Sequence, residues 1–404
     1  MEKIKRLLKK LKIIFFQDGF YFYRGLKRYD LIIYDDIFPH PVSGFRFEEF
    51  TTLLKEFRDS KIVMDNISYN HINSSKTLHK DHIQQLIVRN PGIKSKCKLK
   101  KGLININTRL FYCLFLNNIF KNLVWIEKYK IPFVFTLYPG GGFQVNNSEI
   151  DRKLQRIFSS PYFQKVIVTQ SYTQDYLIDN QLCEPDKILF IFGGVVPQYS
   201  INNPLINKEY YLMGKPTFDV CFCAAKYTPL GEDKGYDVFI DYAKKLATEF
   251  DFVRFHIIGG FTEEDIDLTN ILDKTTFYGY QDFENLTVVY KKMDIIVSPN
   301  QPFVLRKGAF DGFPLGTVVE AVFNGVVALV TDNLNQNIFE DGEELIIINN
   351  ESEDIFQKTV TLIEKPSLLR NIAEKGRRAF LKVYSSDTQM SKRIELLKNV
   401  ISNN

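Results

Sequence analysis

Tryptophan occurs once in this 404-residue chain, and histidine, methionine and cysteine five times each. The cysteines are Cys97, Cys113, Cys183, Cys221 and Cys223, odd in number and irregular in spacing. That pattern implies no disulfide framework. There is no CxxC pair, no His/Cys group at zinc spacing and no HExxH, so no metal site is expected. A net charge of +4 is small for the length, and no basic stripe interleaves with aromatics. A nucleic-acid partner is therefore not expected. No apolar run reaches the roughly 20 residues of a membrane-spanning helix. The first residues lack the uncharged core and small-residue cleavage site of a signal peptide.

Aromatics, by contrast, are abundant, with 35 Phe and 21 Tyr against 45% hydrophobic and 25% charged residues overall. The length and composition are those of a globular protein with two cores. Met1–Lys12 is basic, with Ile4, Leu7, Leu8 and Leu11 at helical spacing. It reads either as a peripheral membrane contact or as a solvated helix docked by its leucines. Strand-like and helix-like segments alternate up to Lys187–Phe192. Gly193-Gly194-Val195-Val196-Pro197 breaks the pattern, and it restarts at Asp219–Ala225. Leu110–Tyr129 reads as one apolar-faced helix, and 67–103 as a polar insertion with one helix. Repeated βα units imply parallel sheets covered by helices. The expected fold class is α/β, with two facing Rossmann-like domains, 1–200 and 201–385, and a terminal helix, 386–404, that packs back on the first domain. Ligands of such sheets bind beyond the strand carboxyl ends, which places the site in the cleft.

Residues 310–325, Phe-Asp-Gly-Phe-Pro-Leu-Gly-Thr-Val-Val-Glu-Ala-Val-Phe-Asn-Gly, are the most informative stretch. A Gly/Pro turn opened by Asp311 feeds an apolar helix that carries Glu320. A helix begun this way points free N–H groups and its positive dipole end at whatever precedes it, which favours an anion. Two acids beside an anion site could grip hydroxyls, as a phosphate flanked by hydroxylated rings requires. The competing reading is an acid-capped helix start with no ligand. Lys226 and Lys234 follow the first strand of the second half, where two ammonium groups could stabilise a departing diphosphate. Gly259 and Gly260, and Tyr278 and Tyr280, follow later strands. The glycines read first as a tight turn, and the tyrosines as candidates to frame a nucleobase. In the first half, Phe38–Arg46, with Gly44, and Tyr138–Phe143 are the cleft candidates. Gly140, Gly141 and Gly142 in a row cost backbone entropy, which suggests close approach to a ligand. Asp35 and His40 are outside candidates for acceptor contact. His79 and His82 read as a solvated pair, and Arg306 and Lys307 as a solvated loop.

Together these features make the second half resemble retaining GT-B glycosyltransferases of family 4, the "group 1" class. Lys234-Gly235, the strand ending Ile-Ile-Gly-Gly, Phe-Tyr-Gly-Tyr, Tyr290–Pro299, Asp311–Ala321, Asn324-Gly325, Leu329–Asp332 and Glu340–Glu344 occur in order. The resemblance covers about 218–385. It implies that Glu320 binds the ribose of a nucleotide and Asp311 holds hydroxyls of the transferred sugar. Backbone groups of Gly312, Phe313, Pro314, Leu315, Gly316 and Thr317 would surround sugar and diphosphate, and Lys234 would contact the diphosphate. Lys226 stands where the family has an arginine. Eight residues rather than seven separate the two acids, and the first is Asp. Tyr138-Pro139-Gly140 replaces a family histidine.

The expectation is an enzyme that transfers a sugar from a nucleotide-diphosphate sugar, UDP- or GDP-linked, to an acceptor hydroxyl with retention. It would need no metal or other cofactor. The acceptor would be a glycan, a lipid-linked sugar or a protein in bacterial surface-glycan synthesis, and the enzyme would be cytoplasmic, at the inner membrane face. Two rivals stand: a sugar-nucleotide epimerase of the same architecture, and a non-catalytic GT-B partner subunit.

Overall fold

The computed structural model describes residues 19–40, 43–65, 69, 78–202 and 208–403. The basic Met1–Lys12 segment lies outside them. The main sheet of the first domain has seven parallel strands: β1 (Tyr29–Asp35), β2 (Ser60–Met64), β3 (Cys97–Leu99), β4 (Thr108–Leu114), β5 (Phe133–Leu137), β6 (Phe163–Val168) and β7 (Ile188–Phe190), in the order β3-β2-β1-β4-β5-β6-β7. The main sheet of the second has β8 (Phe218–Ala224), β9 (Val253–Gly259), β10 (Thr275–Phe277), β11 (Ile295–Ser298), β12 (Val327–Val330) and β13 (Ile346–Ile347), in the order β10-β9-β8-β11-β12-β13. Counted within each domain, both share the order 3-2-1-4-5-6 of dinucleotide-binding folds. The fold is α/β with two Rossmann-like domains.

The central strands are buried along their whole length, β8 and β5 at every residue. Such strands read as continuous apolar runs because helices cover both faces. This explains the misreading of Leu110–Tyr129. Its first part is β4, and a helix starts only at Leu116. A short run buried on both faces has no period that separates strand from helix. The helix Ser148–Phe158, capped by the Asn147 side chain, also escaped the sequence reading. His79 and His82 are not solvated. Both are buried in the helix His79–Arg89 and pack against the Tyr69 ring. Burial holds both imidazoles below their ordinary pKa.

Five helices position the site: α1 (Gly44–Glu56), α2 (Tyr236–Glu249), α3 (Gly316–Phe323), α4 (Pro366–Tyr384) and α5 (Ser386–Ser402). The last crosses back to the first domain. Its Met390, Leu397, Val400 and Ile401 complete a core with Phe50, Leu53 and Leu54 of α1. Arg393 of α5 is wholly buried there, beside Tyr138 and the carboxylate of Glu49.

Candidate functional site

The carboxyl ends of both sheets face one cleft, which contains two cavities. One, of about 550 Å³, is lined from the first domain by Phe45, Arg46, Phe115, Tyr138, Gly140, Gly141 and Gln170, and from the second by Asp311, Gly312, Pro314, Leu315 and Gly316. The other, of about 680 Å³, is lined by His40, Ser43, Arg46, Cys223, Ala224, Lys226, Tyr227, Gly259, Tyr280, Gln281 and Thr317.

Helix α3 starts at the floor of the cleft. Thr317 Oγ1 donates to the Cys223 carbonyl at 3.0 Å, which ties the start of α3 to the end of β8. The first N–H groups of a helix have no intrahelical acceptor, so α3 brings Gly316 and Thr317 to the cleft with unspent donors. Glu320 lies four residues on from Gly316 and shares its face of the helix. Its side chain is buried, and Oε2 accepts no hydrogen bond among the described residues. Burial without a partner pushes its carboxyl up to about 8. A group in that condition is costly unless something donates to it. Gly44, at the start of α1 in the first domain, packs close to Glu320. A Cβ on Gly44 would stand 3.8 Å from Glu320 Oε1 and would collide with Pro197 at 2.5 Å.

Lys234 is buried and meets Asp311 Oδ2 in a direct ion pair, with Asp233 at 3.4 Å. Burial opposes its charge, but the two acids outweigh it and hold the ammonium above its ordinary value. The Asn300 amide, turned to satisfy its neighbours, donates to Asp311 Oδ2 at 3.1 Å and to the Asp233 carbonyl at 2.9 Å. The structure thus joins Lys234 to Asp311 and leaves Lys226 apart. Lys226 pairs with Asp265 at 2.6 Å on the rim of the second cavity.

Phe313 offers neither of its backbone groups to the cleft. Gln170, from the first domain, accepts from its N–H at 3.1 Å and donates to its carbonyl at 3.4 Å. Gly259 follows from packing, because its φ is +127° and a Cβ would stand 1.9 Å from the Ala224 carbonyl. Gly260 lies against the Tyr280 ring. Tyr280 lines the second cavity, whereas the Tyr278 hydroxyl bonds His256 Nδ1 at 3.0 Å.

In the first domain, Gly140, Gly141 and Gly142 all have positive φ. Gly140 borders open space, while Cβ atoms on Gly141 and Gly142 would strike Phe115 and Asn117, each at 2.2 Å. Tyr138 lines the cavity with its ring, but its hydroxyl donates to Glu49 at 2.9 Å. Asp35 does not reach the cleft as an acceptor contact. It is fully buried, accepts from Ile37 and Phe38 N–H at 2.9 and 2.8 Å, and takes Arg46 Nε at 3.1 Å. His40 does line the second cavity. The sequence reading missed Gln170 as a cleft residue and named Arg46 only as the end of a loop. Nothing in their local pattern distinguishes them.

Residues 218–365 match the family described as Glycosyl transferases group 1. No curated protein matches the chain by sequence. Among solved structures, a glycosyltransferase from Rickettsia africae ESF-5 is similar over 94% of this chain and 100% of its own, at 15% identity and a TM-score of 0.63. Anabaena Alr3699/HepE, solved in complex with UDP and glucose, is similar over 92% of this chain and 99% of its own, at 14% identity and a TM-score of 0.63. Sucrose-phosphate synthase from Thermosynechococcus elongatus is similar over 93% and 100%, at 12% identity and a TM-score of 0.59. The fold is that of GT-B glycosyltransferases, and the similarity to the group 1 family lies in the second domain.

Proposed function

We propose that this chain transfers a sugar from a nucleotide-diphosphate sugar to an acceptor hydroxyl, with retention of configuration. The observation that carries the reading is Glu320, a buried acid whose Oε2 has no donor among the described residues, one turn along the helix whose N-terminus opens into the cleft. Ribose hydroxyls would satisfy it. The diphosphate would then lie at Gly316 and Thr317, within reach of the lysine loop, and the sugar beside Asp311. As the bond from the anomeric carbon to the diphosphate breaks, charge gathers on the leaving phosphate, where Lys234 and the helix dipole stabilise it. The acceptor oxygen bonds to the same carbon, and its proton passes to the leaving diphosphate. Lys234 and the helix supply the positive charge, so a chelator is expected to leave the rate unchanged.

The UDP and glucose bound to the Anabaena neighbour support a UDP-linked donor, with GDP the alternative. The loop Phe303–Lys307 is exposed, with Phe303, Val304 and Leu305 followed by two cations. Leu305 also lines the cleft. This supports an acceptor that joins an apolar part to negative charge, such as a lipid-linked sugar of a surface glycan, met at the cytoplasmic face of a membrane. No described helix is long and apolar enough to cross one.

The test is a thermal-shift panel of UDP, GDP, ADP and TDP, followed by product analysis with a donor library. At least one nucleotide should stabilise the wild type. Glu320→Ala should abolish that shift, and Lys234→Ala should lower turnover about 100-fold or more. A nucleotide sugar epimerised without any acceptor would replace this reading with the epimerase. Nucleotide binding with neither transfer nor epimerisation would replace it with the partner subunit.

A further inference from the structure

Arg46 is the one cation that lines both cavities of the cleft among the described residues. It projects from the first turn of α1, and its side chain is only 10% exposed. A cation in that turn opposes the helix dipole, so its placement does not serve the helix. Its guanidinium is fixed from several sides. Nε donates to Asp35 Oδ2 at 3.1 Å and Nη1 to Ser43 Oγ at 2.8 Å. The Phe45 and Phe115 rings pack on it, with centroids 4.9 and 4.6 Å from Cζ. Asp35 is in turn locked by the Ile37 and Phe38 amides. Nη2 makes no hydrogen bond to a described residue, and the group borders both cavities. A guanidinium fixed through Nε and Nη1, with Nη2 left over at the cavities, is suited to donate a charge-assisted hydrogen bond to a phosphate oxygen.

We infer that Arg46 is a catalytic residue supplied by the first domain, which grips the terminal phosphate of the leaving nucleoside diphosphate from the side opposite Lys234. The inference rests on the proposed transfer reaction and adds to it a residue that the second domain's motifs do not contain. Position supports the assignment. Gly44, two residues before Arg46, packs close to Glu320 at the ribose subsite, and Asp311 lines the same first cavity as Arg46. The guanidinium therefore borders the space between the ribose acid and the sugar acid, where a diphosphate must lie. It also follows that charge on the leaving group is fully met only when the two domains are together, so the second domain alone would bind nucleotide without turning over.

The experiment compares UDP with UMP, and GDP with GMP, on the full-length wild type and on Arg46→Lys, Arg46→Met and the double variant Asp35→Asn/Arg46→Met. The double variant removes the buried acid together with its partner, so loss of folding does not obscure the result. Melting curves accompany each protein. Arg46→Met should lower diphosphate affinity about 10-fold, leave monophosphate affinity unchanged, and reduce kcat by about 100-fold. Arg46→Lys should fall between, since it keeps the charge and loses the planar guanidinium. A diphosphate-to-monophosphate affinity ratio equal to wild type in both Met variants, with kcat within about threefold, would overturn the inference and leave the transferase reading intact. A wild type that binds none of the four nucleotides would overturn both.

Discussion

Glu320 carries the donor reading, and its protonation gives that reading a pH signature. Its carboxyl sits at about 8 in the folded chain against an ordinary value of 4.5. The folded state therefore holds the proton more tightly than the unfolded state. The contribution of Glu320 to stability is greatest below about pH 4.5, falls as pH rises to about 8, and is flat above. A shift of that size corresponds to about 4 kcal/mol lost by pH 8. Glu320→Gln should melt with the wild type at pH 5 and well above it at pH 8, while losing nucleotide affinity. Ribose hydroxyls donate to the charged form, so nucleotide binding at pH 7 should release a proton. Calorimetry in two buffers of different ionisation enthalpy would show it, and Glu320→Gln should show none. The acid itself was legible in the sequence, because a turn followed by an apolar helix fixes which residue comes one turn later. Its lack of a partner was not, since that depends on Cys223, Gly44 and α3 meeting.

At the scale of elements, the first-domain turn 140–142 shows how far a local pattern can be read. Three adjacent glycines signal a constraint, but the constraint differs at each. Gly140→Ala places a methyl group in open space and should cost only backbone strain, about 1 kcal/mol. Gly141→Ala adds a collision with the Phe115 side chain, which also packs on Arg46. It should lower stability by about 2 kcal/mol or more and reduce turnover as well. Urea titration of the two variants side by side tests the difference. Strand β4 shows the reverse case. Its sequence is plain, but a strand covered on both faces carries no period, and only its pairing with β1 and β5 establishes it.

The whole molecule closes through contacts between distant residues. Gln170 reaches Phe313, 143 positions away, and Gln336 of the second domain accepts from Ser171 Oγ and the Tyr172 N–H at 3.1 and 3.0 Å. Phe310 packs within the first-domain core. The turn bearing Asp311 and Gly312 is thus held by both domains. Gln170→Ala should raise the KM for donor several-fold and enlarge the radius of gyration in solution scattering, with little change in the second domain's fold. Helix α5 makes the first domain depend on the chain's end. Arg393→Met would leave Glu49 buried without its counter-charge and should cost about 3–5 kcal/mol. Adding Glu49→Gln should recover much of that loss in a double-mutant cycle of melting curves.

The sequence by itself determined the βα alternation, the two-domain division and the ordered motifs of the second half. These rest on periodicity and turn chemistry within a few residues, which a linear reading captures. Tertiary structure decided which groups face the cleft. It turned the Tyr138 hydroxyl inward to Glu49, locked Asp35 under Arg46, joined Lys234 to Asp311 and set Lys226 against Asp265. Those outcomes depend on burial and on partners far apart in the chain, such as Tyr138 and Arg393, which stand 255 positions apart. A side chain's direction and charge balance are set by what packs against it, and no local pattern records that.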